Sequence, residues 1–120
     1  MTTEKTMTDC LFCKILAGDI PANKVYETER VLAFRDIDPK APTHVLIIPK
    51  THIATLNDVG PEHNADIVEI FAAAREIARQ EDIAESGYRT VFNCNADGGQ
   101  AVYHIHLHLL GGRHLAWPPG

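Results

Sequence analysis

Histidines alternate with apolar residues in one segment of the chain, Tyr103–Leu110, which has the sequence YHIHLHLL. Alternate side chains of a β-strand point to the same face, so this pattern predicts a strand, which we extend to Val102–Leu110. The three histidines, His104, His106 and His108, would then share one face, and the apolar residues between them would face a core. A helix would spread the same positions around its axis.

The rest of the chain combines short strand patterns with one long helical pattern. Apolar positions recur at helical spacing over Glu62–Gln80, which predicts an amphipathic helix, and a shorter helix is expected over Cys10–Ala17. Four more strands are predicted, at Lys24–Glu27, Val31–Asp36, His44–Pro49 and Tyr88–Asn93. The expected fold is α+β, a five-stranded antiparallel sheet with one long and one short helix on one face. The histidines would occupy the opposite face, which solvent could reach.

Composition bounds the classes of partner. A chain of 120 residues with 45% apolar and 22% charged residues suits one domain, which we place at 10–120 after a flexible start at 1–9. The net charge of −5, without a basic patch, disfavours polymeric nucleic acid as a partner but allows a single nucleotide. No apolar run is long enough to predict a membrane span, the polar residues 1–9 do not have the pattern of a signal peptide, and three cysteines do not predict a disulfide framework. These features favour the cytoplasm.

The aligned histidines indicate a functional site, because imidazole serves near neutral pH as acid, base, nucleophile or metal ligand. Either they bind a metal ion, as in catalytic zinc centres, or one of them is a nucleophile that the others orient. Positions i and i+4 of a strand lie about 13 Å apart, which disfavours one ion held by all three. His44 opens the third strand and would meet this face across the sheet.

Two further patterns lie near the predicted histidine strand or at a strand end. The turn Asp97–Gln100, with the sequence DGGQ, suits a simple hairpin or a nest of backbone N–H groups that binds an anion. Asp36 ends the second strand, where its carboxylate would accept ribose hydroxyls or cap a turn. Both features are compatible with a nucleotide site.

Cys10 and Cys13 form a single CxxC pattern. It suits half of a zinc site, a redox pair or two buried core cysteines. A redox pair usually lies in a βαβ unit, which the predicted element order lacks. His52 and His104 are available to complete a zinc site, so the zinc alternative is favoured.

The sequence resembles the histidine triad (HIT) family, in its branch of nucleoside phosphoramidate hydrolases. The resemblance covers nearly the whole chain from Asp9 onward. The matching stretches are 20–22, 32–37, 41–50, 97–113 and the ending WPPG at 117–120.

The resemblance implies a hydrolase of purine nucleoside phosphoramidates or acyl-adenylates that releases AMP or GMP. His106 would attack the α-phosphorus and form a nucleotidyl-histidine, and His108 would contact the phosphate and assist proton transfer. His104 would fix the strand, and His44 would complete the catalytic group. No cofactor is required for this chemistry. The implied contacts are Asp36 for the ribose, Asn93, Gly99 and Gln100 for the phosphate, and Leu11, Phe12, Ile15, Phe34, Ile37 and Leu46 for the base.

The resemblance implies three further properties. The wider family contains zinc-binding members, which points to a structural zinc on Cys10, Cys13, His52 and His104. The family typically forms homodimers. Ala101 stands where this branch usually has a serine that bonds to the leaving group, so turnover would be slower. Ala101 therefore also supports an alternative, a nucleotide-binding regulatory or scaffold protein with weak residual hydrolase activity.

Overall fold

The computed structural model describes residues 9–120, and most of the predicted leading segment lies outside them. The chain forms an α+β fold around a five-stranded antiparallel sheet with strand order β1-β2-β3-β5-β4. Its elements are α1 (Leu11–Leu16), β1 (Lys24–Glu27), β2 (Val31–Arg35), β3 (Thr43–Pro49), α2 (Asn64–Gln80), β4 (Tyr88–Val91), α3 (Asn95–Gly98) and β5 (Leu107–Gly111). The predicted fold class is confirmed. Within the described chain, no helix is both long and apolar enough to cross a membrane.

The sheet is covered on both faces. On one face, α2 packs Ile70, Ala74 and Ile77 against inward residues of the strands, including Val45 and Leu109. On the other face, α1 contributes to a second apolar cluster, which contains Phe12, Ile15, Leu32, Phe34, Leu46 and Ile48. The expectation that both helices share one face was therefore wrong. Every residue of β3 is buried, a pattern typical of a strand that is covered on both sides.

The histidine strand is shorter than predicted. β5 begins at Leu107 instead of Val102, so only His108 of the three histidines lies within it. The last pair between β3 and β5 is Ile47 with Leu107. Continuing that register would place Pro49 opposite Ile105, but proline has no N–H to donate to the ladder. Ile105 instead donates its N–H to the Ile53 carbonyl at 2.8 Å.

The alternation of the side chains nevertheless persists through the irregular segment. Ile105, Leu107 and Leu109 are buried in the α2-side core, whereas His104 and His106 contact Phe12 of α1. Other boundaries shift by a few residues. β4 ends at Val91, Asp36 follows β2, and β5 extends to Gly111. The one-turn helix α3 overlaps the predicted glycine turn at Asp97 and Gly98.

Candidate active site

A cavity of about 340 Å³ opens between α1, the end of β2 and the histidine segment. Twelve predicted site residues line it, which are Leu11, Phe12, Ile15, Phe34, Asp36, Ile37, Leu46, Asn93, Gly99, Ala101, His106 and His108. Its wall also includes residues that sequence reasoning did not assign to the site, namely Ile20, Pro21, Ala22, Asn23, Arg35 and Val102. The segment at 20–22 matches the family pattern, and that match was a signal for its role.

Three of the predicted catalytic and substrate-binding residues lie outside the cavity lining. Gln100 is buried, and its side chain bonds to backbone groups. Its Oε1 accepts the Asn95 peptide N–H at 2.9 Å, and its Nε2 donates to the Ala54 and Val102 carbonyls. It therefore braces the loop that carries Gly99, whose φ of +82° is the left-handed conformation that favours glycine. The other two are His44 and His104, which lie behind the histidines that do line the cavity.

His106 is held by the backbone beside it. Its Nδ1 lies 2.8 Å from the carbonyl oxygen of His104, and a carbonyl can only accept. The ring must therefore donate Nδ1–H, which leaves Nε2 with a lone pair. The Phe12 ring lies perpendicular to the His106 ring with their centroids 5.0 Å apart, and His106 is only 8% exposed. This burial lowers the pKa of His106, so the ring is neutral at pH 7.

His108 and His44 form a second contact at the cavity. His44 Nε2 lies 2.9 Å from His108 Nδ1, and the Asp36 carboxylate lies 3.5 Å from the same His44 nitrogen. On the other side of the His44 ring, the peptide N–H of Lys40 donates to Nδ1 at 3.0 Å. Burial and the neighbouring histidines His106 and His44 lower the pKa of His108 to about 4, and burial also lowers the pKa of His44.

The four predicted zinc ligands come together behind the cavity. The His104 Nδ1 lies 3.3 Å from Cys10 Sγ, 3.6 Å from Cys13 Sγ and 3.2 Å from His52 Nδ1. Cys13 Sγ also lies 3.3 Å from His52 Nδ1. A tetrahedral zinc with sulfur at about 2.3 Å and nitrogen at about 2.0–2.1 Å separates its ligand atoms by about 3.3–3.8 Å. The observed separations are close to that range.

The tautomer of His104 also fits a metal ligand. Its Nε2 lies 2.8 Å from the Pro49 carbonyl, so Nε2 carries the proton and Nδ1 presents its lone pair to the two sulfurs. Burial lowers the pKa of His104 to about 4, which keeps that lone pair free at neutral pH. The Cys10, Cys13, His52 and His104 group therefore fits a closed structural zinc site.

Comparison with known proteins agrees with the fold. The model of the HIT domain family matches residues 17–115, and the chain belongs to this family. The solved structure of a HIT family hydrolase from Legionella pneumophila superposes with a TM-score of 0.91 at 59% identity, covering 92% of this chain and 99% of that one.

Two curated relatives carry more specific names. The purine nucleoside phosphoramidase of Escherichia coli is 53% identical over 107 residues, which is 89% of this chain and 90% of that protein. A 14 kDa zinc-binding protein of Zea mays is 49% identical over 112 residues, which is 92% of this chain and 87% of that protein.

Proposed function

We propose that this protein hydrolyses purine nucleoside phosphoramidates and acyl-adenylates through a nucleotidyl-histidine on His106, releasing AMP or GMP. The observation that carries the proposal is the hydrogen bond from His106 Nδ1 to the His104 carbonyl at 2.8 Å. Because burial keeps this ring neutral, the bond leaves the Nε2 lone pair available in the cavity. A neutral imidazole is the form that attacks phosphorus. The similarity to the purine nucleoside phosphoramidase of E. coli supports the substrate class.

The proposed reaction has two balanced steps. First, a bond forms between His106 Nε2 and the α-phosphorus while the P–N bond breaks, and the leaving amine takes a proton from His108. Second, water attacks the phosphorus, the bond to His106 breaks, and the water proton returns to His108. Backbone N–H groups near Gly99 would stabilise the charge on the phosphoryl oxygens.

The cavity suits a nucleoside. Apolar side chains from α1 and the strands, such as Phe12, Ile15 and Phe34, would enclose the base. The Asp36 carboxylate lies on the same wall, where it would accept the ribose hydroxyls. The histidines then lie at the position of the phosphate.

The direct test is turnover of adenosine 5′-phosphoramidate, with AMP as the measured product, repeated after chelation. Turnover that survives the chelator supports the proposal. Tight AMP binding without turnover would favour the regulatory or scaffold alternative. Activity that is lost with the chelator, yet retained by a Cys13→Ser variant, would indicate a metal ion in the chemistry itself.

Ala101 lines the cavity, and the family resemblance implies that it lies beside the leaving group. We expect Ala101→Ser to raise the rate of phosphoramidate hydrolysis about 5- to 150-fold, because a hydroxyl there would supply a hydrogen bond worth about 1–3 kcal/mol to the leaving group. Steady-state kinetics with adenosine 5′-phosphoramidate measure it. Ala101→Val, which adds bulk without a donor, is the control, and equal rates for all three proteins would count against this role.

We also propose that the chain binds one structural zinc and pairs with a second copy. The fitting ligand group and the zinc-binding relative from Z. mays support the metal. Exposed apolar side chains on α2 and the edge strand β4, namely Val68, Phe71 and Tyr88, support the pairing. Sedimentation equilibrium measures whether one or two chains travel together.

A further inference from the structure

The two nitrogens of His44 have different partners, and this difference fixes where its proton lies. The Lys40 peptide N–H donates to Nδ1 at 3.0 Å, and a peptide N–H can only donate. Nδ1 of His44 must therefore be the acceptor. In a neutral imidazole the single proton then lies on Nε2, the nitrogen that faces His108.

The tautomer of His44 in turn determines that of His108. His44 Nε2–H has two acceptors within reach, His108 Nδ1 at 2.9 Å and the Asp36 carboxylate at 3.5 Å. The shorter distance makes His108 the main acceptor. His108 Nδ1 is then occupied as an acceptor, and the proton of that neutral ring lies on Nε2.

The surroundings of His44 and His108 favour the neutral form of both rings. His44 is 5% exposed, and burial lowers its pKa despite the nearby carboxylates of Asp36 and Asp38. The Lys40 side chain opposes those carboxylates, and it pairs with Asp38 at 2.6 Å. The pKa of His108 falls to about 4. Both rings therefore hold one proton each at pH 7.

A metal ion is the alternative occupant of this group, because two histidines and a carboxylate gather there. A metal ion conflicts with the proton positions on these two rings. A metal on His44 Nε2 would move the ring proton to Nδ1, where it would point at the Lys40 N–H, donor against donor. His104 shows the opposite arrangement, since its proton is bonded to the Pro49 carbonyl and its lone pair faces the cysteines.

We propose that the Lys40 peptide N–H, acting through His44, holds the proton of His108 on Nε2, so that His44 and this loop are positioning elements of the site. His106 and His108 then present opposite groups to the cavity: a lone pair on one ring and a proton on its neighbour 5.0 Å away. The arrangement supplies a nucleophile and an N–H donor towards the leaving group from two neutral rings. Its catalytic meaning rests on the function proposed above, but the proton positions themselves do not.

The test is the ¹⁵N NMR spectrum of the histidine side chains in the full chain at pH 7.5, without substrate. We expect both His44 and His108 to show a protonated Nε2 and an unprotonated Nδ1, and His106 to show the reverse. A proton on His108 Nδ1 would overturn the proposal. If the expected protons are found in a chain that does not turn over phosphoramidates, the proposal stands and the proposed function falls.

Matched variants test each hydrogen bond in the series from Lys40 through His44 to His108. His44→Gln keeps an N–H donor towards His108, whereas His44→Met removes it. We expect His108 to keep its tautomer in the glutamine variant and to show mixed tautomers in the methionine variant. We also expect kcat of the methionine variant to be about tenfold below that of the glutamine variant, the effect of one hydrogen bond, with similar KM. Equal tautomers and equal kcat in the two variants would contradict the proposal.

Variants at Lys40 test the hydrogen bond from its peptide N–H to His44 Nδ1. Lys40→Pro removes the peptide N–H, and Lys40→Ala keeps it while it removes the ammonium group. We expect mixed tautomers of His44 and His108 only in the proline variant. The same spectrum in the proline and alanine variants would show that the peptide N–H has no such role. If the proline variant does not fold, the His44→Gln and His44→Met variants still test the hydrogen bond from His44 to His108.

Discussion

His106→Ala is expected to lower the turnover of adenosine 5′-phosphoramidate by about 10³-fold or more, because the substitution removes the atom that bonds to phosphorus. The neighbouring His108 cannot replace it in the proposed geometry, since His108 Nδ1 is occupied by His44. Single-turnover kinetics measure the loss. In the unaltered protein, mass spectrometry of the reaction stopped in alkali should show the chain with one nucleotidyl group added.

The control for this prediction is His63→Ala. His63 lies in the turn before α2, accepts the Gly60 N–H at 3.0 Å and does not line the cavity. We expect that variant to keep kcat within about twofold, because the substitution lies away from the site. If His106→Ala retained more than a tenth of the activity while it bound AMP and stayed folded, His106 would not be the nucleophile.

The fold was predictable from the sequence because its signals are periodic. The helical spacing over Glu62–Gln80 located α2, and the alternation around Leu107 and Leu109 gave the buried face of β5. The start of β5 was predicted too early because of one residue in the neighbouring strand β3. Pro49 lacks the N–H that would continue the ladder, and no pattern within Val102–Leu110 itself records which residue lies opposite.

The residues of the candidate site could be predicted from the sequence, but the ring nitrogen that carries the proton of each histidine could not. The family resemblance named the histidines, the cysteines and most of the cavity wall. It did not indicate which nitrogen of each ring holds the proton, because that depends on backbone groups distant in sequence, such as the carbonyl of Pro49 for His104. The position of Gln100 was missed for the same reason, since its partners are backbone groups of the loops around it.

Purified protein is expected to contain about one equivalent of zinc, and its removal by a chelator should lower the melting temperature by about 10 °C or more. The reason is linkage: a metal that binds only the folded chain, at about a thousandfold its dissociation constant, stabilises it by about 4 kcal/mol. Elemental analysis and calorimetry measure the two quantities.

Zinc affinity should rise with pH, and the sign follows from the ligands. Burial and the adjacent Cys10 raise the pKa of the Cys13 thiol to about 12 without metal, so zinc must displace a proton from it near pH 7. His104, with its pKa lowered to about 4, is already neutral there and releases none. Lowering the pH from 8 to 6 should therefore weaken zinc binding by about tenfold per pH unit for each proton released. An affinity independent of pH would contradict thiolate ligation.

Cys13→Ser is the sharper substitution for this site, because serine at Cys10 would remain a good cap for α1 and would mask part of the loss. We expect Cys13→Ser to lose zinc and to melt at the temperature of the chelated protein, with no further change when a chelator is added. Cys94→Ser is the matched control, since Cys94 lies outside the ligand group. Equal zinc content in the two variants would show that the metal, if bound, is held elsewhere.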